Sequence, residues 1–444
     1  MLRVSPSPLK FDASRQLQRR AHAVIPGGCH TYFKGDDQFP QLAPGFIACG
    51  KGARIWDVDG NEFLEYGMGS RAVTLGHAYE PVLEAVRQTL EQGVNFSRPA
   101  AIEVECAELF LSLVPTAEMV KFTKDGSTAT TAALKLARAH TGRDLIAVCA
   151  SHPFFSYDDW FICTTAIDAG IPGVVPPLTR TFRYNDPDSL RTLFERHPGQ
   201  IAAVILEPCK YEPPADHFLH RVQELCLAHG ALFILDEMIT GFRMHNAGAQ
   251  ALYGVTPDLS TWGKGLANGF ALSALAGKRS IMELGGLDHD RPRVFLLSTT
   301  HGAETHALAA AIRTMEIYRD EPVVETLAAR GQELLDGCRR TIADHGLDGL
   351  VTVEGFPCNL VWGAKGPDGR PCQGYRSLLL QELIARHVLA PSLVLSYSHT
   401  ADDVAQTVEA FDGALGVYKD ALHSGYASHL VGPPSQVVYR KFNR

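Results

Sequence analysis

Apolar and polar positions change rhythm three times along this chain. Between residues 46 and 66, FIACGKGARIWDVDGNEFLEY, they alternate around Asp59-Gly60, the short-range signature of a β-hairpin. The same DVDGN segment has a faint likeness to a calcium loop. The ligand spacing fails, however, and no glutamate closes the loop at the twelfth position, so the hairpin is the expectation. From Pro81 to Gly93, PVLEAVRQTLEQG opens on a proline, repeats apolar residues at helical spacing and ends on a glycine, which predicts an amphipathic helix.

The middle of the chain follows a different pattern. Short runs rich in Ile, Val and Leu (LIAVCA at 145–150, IAAVILEP at 201–208, ALFILDE at 231–237) alternate with helical stretches such as HFLHRVQELCLAHG at 217–230. Strands that are apolar throughout are buried on both faces, so this pattern predicts an α/β domain with a mostly parallel sheet covered by helices. Beyond about residue 320 come a long helical stretch, EPVVETLAARGQELLDGCRRTIADHG, strand-like LVTVEG and CNLVWG, and a last helix from TADDVAQTVEAFDGAL. The expected division is an N-terminal segment 1–80 carrying the hairpin, a large α/β domain 81–318, and a C-terminal α+β part 319–444 that forms the smaller domain together with the N-terminal segment. The end, GPPSQVVYRKFNR, reads as a loosely packed tail.

Composition narrows the function. At 444 residues the chain exceeds the size at which one core stops growing, in keeping with two domains. Hydrophobic residues at 45% and charged residues at 20%, with no low-complexity tract, describe an ordinary globular protein. The net charge is −8 and the Lys and Arg residues are scattered, which points away from a nucleic-acid partner and towards small molecules. The first twenty residues lack the apolar run of a secretory signal, and runs such as IAAVIL fall far short of the roughly 18 residues a membrane span needs, so no membrane partner is expected. Ten cysteines without CxxC pairs read as reduced thiols in a cytoplasmic protein. Eighteen histidines without HExxH or Cys/His ligand spacing give no reason to expect a metal site.

In open α/β sheets ligands sit beyond the carboxyl ends of the strands. Three stretches bring polar residues to such places. In FTKDGSTATTAALKLARAHTG, strand-like MVKFT leads through Gly126-Ser127-Thr128 into an Ala-rich helix closed by Gly142. Amides and hydroxyls at a helix start suit a phosphate, although the segment is neither a GxxxxGK[ST] loop nor a GxGxxG turn, and a Ser or Thr here serves equally as a plain N-cap. In ALFILDEMITGFR, apolar residues carry Asp236 and Glu237 to the end of a buried strand, where a carboxylate needs a cation: a protonated pyridine nitrogen, or simply a nearby arginine. In TWGKGLANGF, Lys264 lies between two glycines, either as a catalytic amine or as an exposed loop lysine. Together, a phosphate cradle, a strand-end aspartate and a Gly-flanked lysine are the three contacts that pyridoxal phosphate requires, with the glycines leaving room beside a planar ring.

At these residues the chain resembles the class III aminotransferases of fold type I, and within them the glutamate-1-semialdehyde aminomutase-like branch. The resemblance covers roughly residues 20–415 and is carried by IPGG, GARIWDVDGNEFLEY, LGHAYEPV, LKLARAHTGR, AAVILEP, LDEMITGFR, GVTPDLSTWGKGLANG and LAPSLVLSYSHTADD. It implies pyridoxal 5′-phosphate as cofactor, Lys264 as the Schiff-base lysine, Asp236 on the pyridinium nitrogen and Met238 against the ring, with Glu207 of AAVILEP also at the cofactor. By the same resemblance Gly126, Ser127 and Thr128 match the phosphate turn. Thr299, in LSTTHGAETHALAAA, matches the threonine that reaches the phosphate from the other subunit, which implies an obligate homodimer with shared sites.

Departures from the family pattern fall on the substrate side. The usual Asn-Ser-Gly-Thr-Glu-Ala turn reads KDGSTA, a mild change because backbone donors do most of the binding. Where Gly-Tyr-His-Gly is usual the chain has CASHPFFSYDDW, with Ser151 near the place of the stacking tyrosine; His152, Phe154 or Phe155 could take over the stacking, or the two phenylalanines could be core. The arginine that holds the substrate carboxylate in aminomutases falls on Lys34, a point charge in place of a bidentate fork. The Gly-Ser-Trp of that branch reads GSR, placing Ser70 and Arg71 at the substrate, and Ser-Gly-Asn-Pro reads THGAET. The resemblance thus implies a transaminase moving an amino group from a donor, glutamate being expected, to an aldehyde or ketone of a specialised small molecule by ping-pong kinetics. The polar substrate side, Lys34, Arg71, His301 and Glu304, suggests a sugar-derived or other hydroxylated acceptor, the alternative being that these are solvated surface residues. The alternatives are a glutamate-1-semialdehyde 2,1-aminomutase and, from another class, a non-catalytic binding module, against which an intact Lys264 and Asp236 argue.

Overall fold

The structure is a computed structural model that describes residues 9–152 and 154–443; the first eight residues, where no signal segment is expected, lie outside them, as does Pro153 of the SHPFF stretch. In chain order the strands are β1 (Ile47–Lys51), β2 (Arg54–Asp57), β3 (Glu62–Glu65), β4 (Met119–Thr123), β5 (Leu145–Cys149), β6 (Thr179–Phe182), β7 (Ile201–Leu206), β8 (Leu232–Asp236), β9 (Leu259–Trp262), β10 (Ser273–Gly277), β11 (Val351–Phe356), β12 (Asn359–Ala364), β13 (Val388–Leu389) and β14 (Leu393–Val394). Contact density separates two units. One holds residues up to Ser70, Gly76–Tyr79 and Leu327–Val438; the other holds Arg71–Leu75, Glu80–Thr326 and the residues from Tyr439 on.

The second unit is built on a seven-stranded sheet of order β4-β10-β9-β8-β7-β5-β6. Neighbours from β9 through β6 are parallel, and β10 alone runs antiparallel to both β4 and β9. Side chains alternate across each strand, and in the inner strands β5, β7, β8, β9 and β10 both sets are buried, whereas the edge strands β4 and β6 are only partly covered. Ile146, Val148, Ala203, Ile205, Leu232 and Ile234 join one core with the helix Gly126–Thr141. Leu145, Ala147, Cys149, Val204, Leu206, Phe233 and Leu235 join the other with the helix Phe218–His229. This double burial is why the strands read as unbroken apolar runs. By the same alternation Asp236, two residues beyond Ile234, falls on the face covered by Gly126–Thr141. That helix ends on Gly142 in the left-handed conformation, as its sequence predicts, but its N-cap is Asp125, which accepts Thr128 N–H, rather than the Ser or Thr the sequence offered.

The first unit contains a four-stranded sheet, β1-β2-β3-β13, and a three-stranded antiparallel sheet, β11-β12-β14. The expected hairpin is β2–β3, with Ile55 opposite Phe63. Its acidic turn is used for backbone bonds: Asp57 accepts the N–H groups of Asp59 at 3.0 Å and Asn61 at 2.8 Å. Asp59 in turn accepts Ala13 and Ser14 N–H at 2.7 and 2.8 Å, capping the start of the helix Asp12–Val24. The C-terminal segment is less loose than its composition suggests, because Ser435 is buried and its N–H donates to Ser377 Oγ at 2.8 Å. Among the described residues no helix is long and apolar enough to cross a membrane.

Candidate active site

The site is assembled at the carboxyl ends of β8 and β9. Asp236 is buried at the end of β8, and its Oδ1 accepts both Met238 N–H at 2.9 Å and the Thr261 hydroxyl of β9 at 3.1 Å. Its Oδ2 accepts no bond from the described residues, so one oxygen is fixed and the other is left to face a ligand. Burial raises its pKa to about 6, against the pull of the Lys264 charge. Glu237, grouped with Asp236 in the sequence reading, does something else: it accepts the Thr240 hydroxyl and the N–H groups of Ala249 at 2.9 Å and Gln250 at 2.7 Å, and so organises the loop behind the strand.

Lys264 follows β9 with φ +46° in the left-handed region, a conformation that costs a non-glycine residue about 1–2 kcal/mol. Such strain persists only where the surroundings over-determine it. A Cβ added to Gly263 would stand 2.5 Å from Ser273 Oγ and 2.7 Å from Met238 Sδ; one on Gly265 would stand 2.7 Å from Thr74 Oγ1. The Tyr318 hydroxyl donates to the Gly265 carbonyl at 3.1 Å. A Cβ at either flanking glycine would therefore force a neighbouring side chain of the protein itself to shift. Lys264 is only partly exposed, and burial lowers its pKa while Asp236 and Glu207 oppose that shift.

Met238 joins the three stretches. Its Sδ lies against Gly263 and also against Gly126, where an added Cβ would come within 2.9 Å. At that helix start the amides of Gly126 and Ser127 precede the first intrahelical bond and remain available. Ser127 Oγ accepts Tyr157 N–H at 3.0 Å, which leaves its own proton free to donate. Thr128 is placed differently: its N–H and its hydroxyl both donate to Asp125, each at 2.9 Å.

His152 is buried, and its Nδ1 accepts Glu207 N–H at 2.8 Å, so the neutral ring carries its proton on Nε2. That Nε2 is buried without a partner among the described residues. Burial holds the ring uncharged, with its pKa lowered to about 3. Its ring centre lies 5.3 Å from Tyr184 and 5.9 Å from Phe155. The two phenylalanines separate: Phe155 is core, while Phe154 is exposed and packs edge-on to Phe161 at 5.7 Å.

Glu207, buried just past β7, has its pKa pushed up by burial and by Asp236, and pulled back by Lys264, Lys210 and Arg71. Arg71 is partly exposed; burial and the neighbouring Arg243 lower its pKa. The Arg71 carbonyl accepts the Arg243 guanidinium at 2.6 Å. Lys210 donates to the Ser151 carbonyl at 3.0 Å and lies 4.4 Å over the Tyr211 ring. Lys34 is exposed in the short turn Tyr32–Lys34 of the first unit, Ser70 is exposed, and Thr299 is exposed with its hydroxyl bonded to no described residue. His301 and Glu304 form an ionic cluster, His301 at 3.2 Å from Glu304 and Lys124 paired with the same carboxylate. Sequence reasoning missed Thr261, Tyr318, Lys210 and Arg243. A period-two pattern through DLSTW could have flagged Thr261, whereas nothing in TGFR announces a fully buried arginine.

The donor set fits pyridoxal phosphate: an amine for its aldehyde, a half-free carboxylate for its ring nitrogen, and amides with a hydroxyl for its phosphate. Asp125 occupies the Thr128 donors and does not favour an anion there.

The family model described as Aminotransferase class-III matches residues 39–355. A glutamate-1-semialdehyde 2,1-aminomutase of Acetivibrio thermocellus is 38% identical over 90% of this chain and 97% of its own. A 3-aminobutyryl-CoA aminotransferase of Cloacimonas acidaminovorans is 31% identical over 93% of this chain and 99% of its own. Among solved structures, the FumI protein of Sphingopyxis sp. MTA144 with pyridoxal phosphate superposes with a TM-score of 0.85 at 30% identity, covering 96% of this chain and 99% of that one. An omega-transaminase from Sphaerobacter thermophilus gives 0.83 at 28% identity, covering 92% and 98%.

Proposed function

The chain belongs to the class-III aminotransferase family, and from that premise we propose that it moves an amino group from glutamate to an aldehyde or ketone of a specialised, polar small molecule. As a member it is a fold type I enzyme that uses pyridoxal phosphate. The bound cofactor supplies an electrophilic aldehyde and an electron sink for a carbanion next to nitrogen.

This chain's residues do the rest. Lys264 Nζ holds the cofactor and, once released, moves a proton at the substrate carbon; its lowered pKa keeps the amine in the neutral, basic form more readily near neutrality. Asp236 holds the ring-nitrogen proton with Oδ2 while Met238 N–H and Thr261 fix Oδ1. Met238 would pack at the ring, Gly126 and Ser127 would take the phosphate with Thr128 in a lesser role, and His152 and Glu207 would border the ring. Arg71, Ser70 and Lys34 serve the substrate. The observation that carries the reading is the wedging of Met238 between Gly126 and Gly263, which brings phosphate turn, strand-end aspartate and strained lysine to one place. Two such sites in a cytoplasmic homodimer, each completed by Thr299 of the second copy, belong to the same proposal; an exposed, unbonded Thr299 is compatible with it.

A second reading is the aminomutase, supported by the 38% identity to a glutamate-1-semialdehyde 2,1-aminomutase. Both half-reactions would then occur on one substrate without release. The test is to mix the yellow holoenzyme with glutamate and follow its visible band and the release of 2-oxoglutarate, then to screen carbonyl acceptors. Band conversion with release supports the transaminase, and isomerisation of glutamate 1-semialdehyde without release supports the aminomutase. No change with any amine leaves only a binding module.

A further inference from the structure

The segment Met68–Arg71 coils the wrong way. Its four residues have φ of +42°, +57°, +59° and +73°, a complete left-handed turn in which only Gly69 is a glycine. Three residues with side chains thus adopt a conformation that L-residues avoid, and left-handed residues of this kind ordinarily occur singly. Such a turn must be held from outside. At its start both carboxylate oxygens of buried Glu65 accept Met68 N–H, at 2.7 and 2.8 Å. His77 Nε2 lies 3.0 Å from Glu65 Oε2 and steadies the carboxylate. Glu65 itself is locked in place at the end of β3, its N–H bonded to the Ala53 carbonyl. A side chain on Gly67 would meet Glu65 Oε1 at 2.5 Å, so the glycine there lets the carboxylate fold back over the chain. At the far end of the turn, the Arg71 carbonyl is held by Arg243.

We infer that Glu65 is a positioning residue that, steadied by His77, holds the left-handed turn Met68–Arg71 and so aims Arg71 at an acidic group of the substrate. The inference rests on the proposed role of Arg71 at the substrate. A straight or right-handed course through these four residues would send the Arg71 side chain elsewhere, because side-chain direction follows φ and ψ. Glutamate supplies the acidic group for the test.

The experiment is a double-mutant cycle on the holoenzyme, reading KM and kcat for glutamate together with the melting temperature. Arg71→Ala is expected to raise KM about ten-fold with little change in kcat. Glu65→Ala should raise KM by a similar factor with kcat within about two-fold and the cofactor band intact. The double variant should be no worse than Arg71→Ala alone, since both changes cut one path. Glu65→Gln, which keeps an oxygen for Met68 N–H, should restore most of the affinity. An unchanged KM in Glu65→Ala overturns the proposal, and so do losses that multiply in the double variant or a kcat that falls together with the melting temperature. Should Glu65→Ala fail to fold, Glu65→Asp, whose oxygens are drawn back by one methylene, must raise KM; a normal KM there also refutes it. If Arg71→Ala leaves KM unchanged, the aim of the turn is wrong, while conversion of the wild-type band by glutamate would still uphold transamination.

Discussion

Asp236 and Lys34 are both charged residues that the sequence sets at a reaction site, and the structure treats them oppositely. Asp236 is 3% exposed, with one oxygen fixed by two donors and a strained lysine nearby. Lys34 stands exposed in a three-residue turn. A buried charge is so costly that its neighbours must be arranged around it, and that arrangement encodes its role. An exposed charge is tolerated almost anywhere, so its position says little.

The largest test of this contrast is Lys264→Ala, which should lower turnover by on the order of 10⁴-fold or more by removing both the covalent anchor and the proton carrier. The protein should still fold, since alanine makes the same backbone demand at φ +46° as the lysine it replaces and removes only the amine and its stem, and borohydride should no longer fix the cofactor to the chain. Turnover within ten-fold of wild type would remove Lys264 from the chemistry.

Next comes Asp236→Asn, which keeps the oxygen that accepts Met238 N–H and the Thr261 hydroxyl but loses the charge. Turnover should fall by about 10²-fold. The same variant carries a pH prediction. The folded carboxyl has a pKa raised from 3.8 to about 6, so between those values the unfolded chain has given up its proton while the folded chain still holds it. Stability of the cofactor-free protein must therefore fall as pH rises through this window, by at most about 3 kcal/mol from this group. Urea unfolding across that range should show the slope in wild type and its loss in Asp236→Asn. Equal slopes would mean that the carboxylate is already compensated.

The same logic decides what was legible in the sequence. The central strands could be read because β5, β7 and β8 bury both faces, and Asp236 because it ends such a run. Packing produces these patterns directly. The left-handed turn at Met68–Arg71 was not legible: MGSR has one glycine, and the strain is imposed by Glu65 from outside the segment. Arg243 was missed because a fully buried guanidinium is explained by distant acceptors, among them the carbonyls of Ile239 and Arg71 and the Thr74 hydroxyl, which the local sequence does not show. Phe154 and Phe155 are neighbours of one residue type, and only the third dimension sends one to solvent and the other to the core.

Gly263→Ala tests the packing side on a smaller scale. The new methyl group would sit 2.5 Å from Ser273 Oγ and 2.7 Å from Met238 Sδ, so one of them must move. Overpacking of this kind costs about 1–3 kcal/mol, read as a lowered melting temperature. Adding Met238→Ala or Ser273→Ala should recover part of the loss. Full stability in the single variant would mean that the lysine turn is looser than its contacts indicate.

Lys34→Ala is the smallest change and the one that can invert the contrast. An exposed lysine with no bonded partner among the described residues contributes little to the fold, and if it meets substrate only across solvent its charge is worth at most about 1 kcal/mol. The melting temperature should be unchanged and KM for glutamate should rise by less than about five-fold, with the effect fading as salt is added. A hundred-fold rise that persists at high salt would require Lys34 to be desolvated against the substrate in the working enzyme. The substrate side would then be as tightly specified as the cofactor side, with the difference that its order is created only when substrate binds.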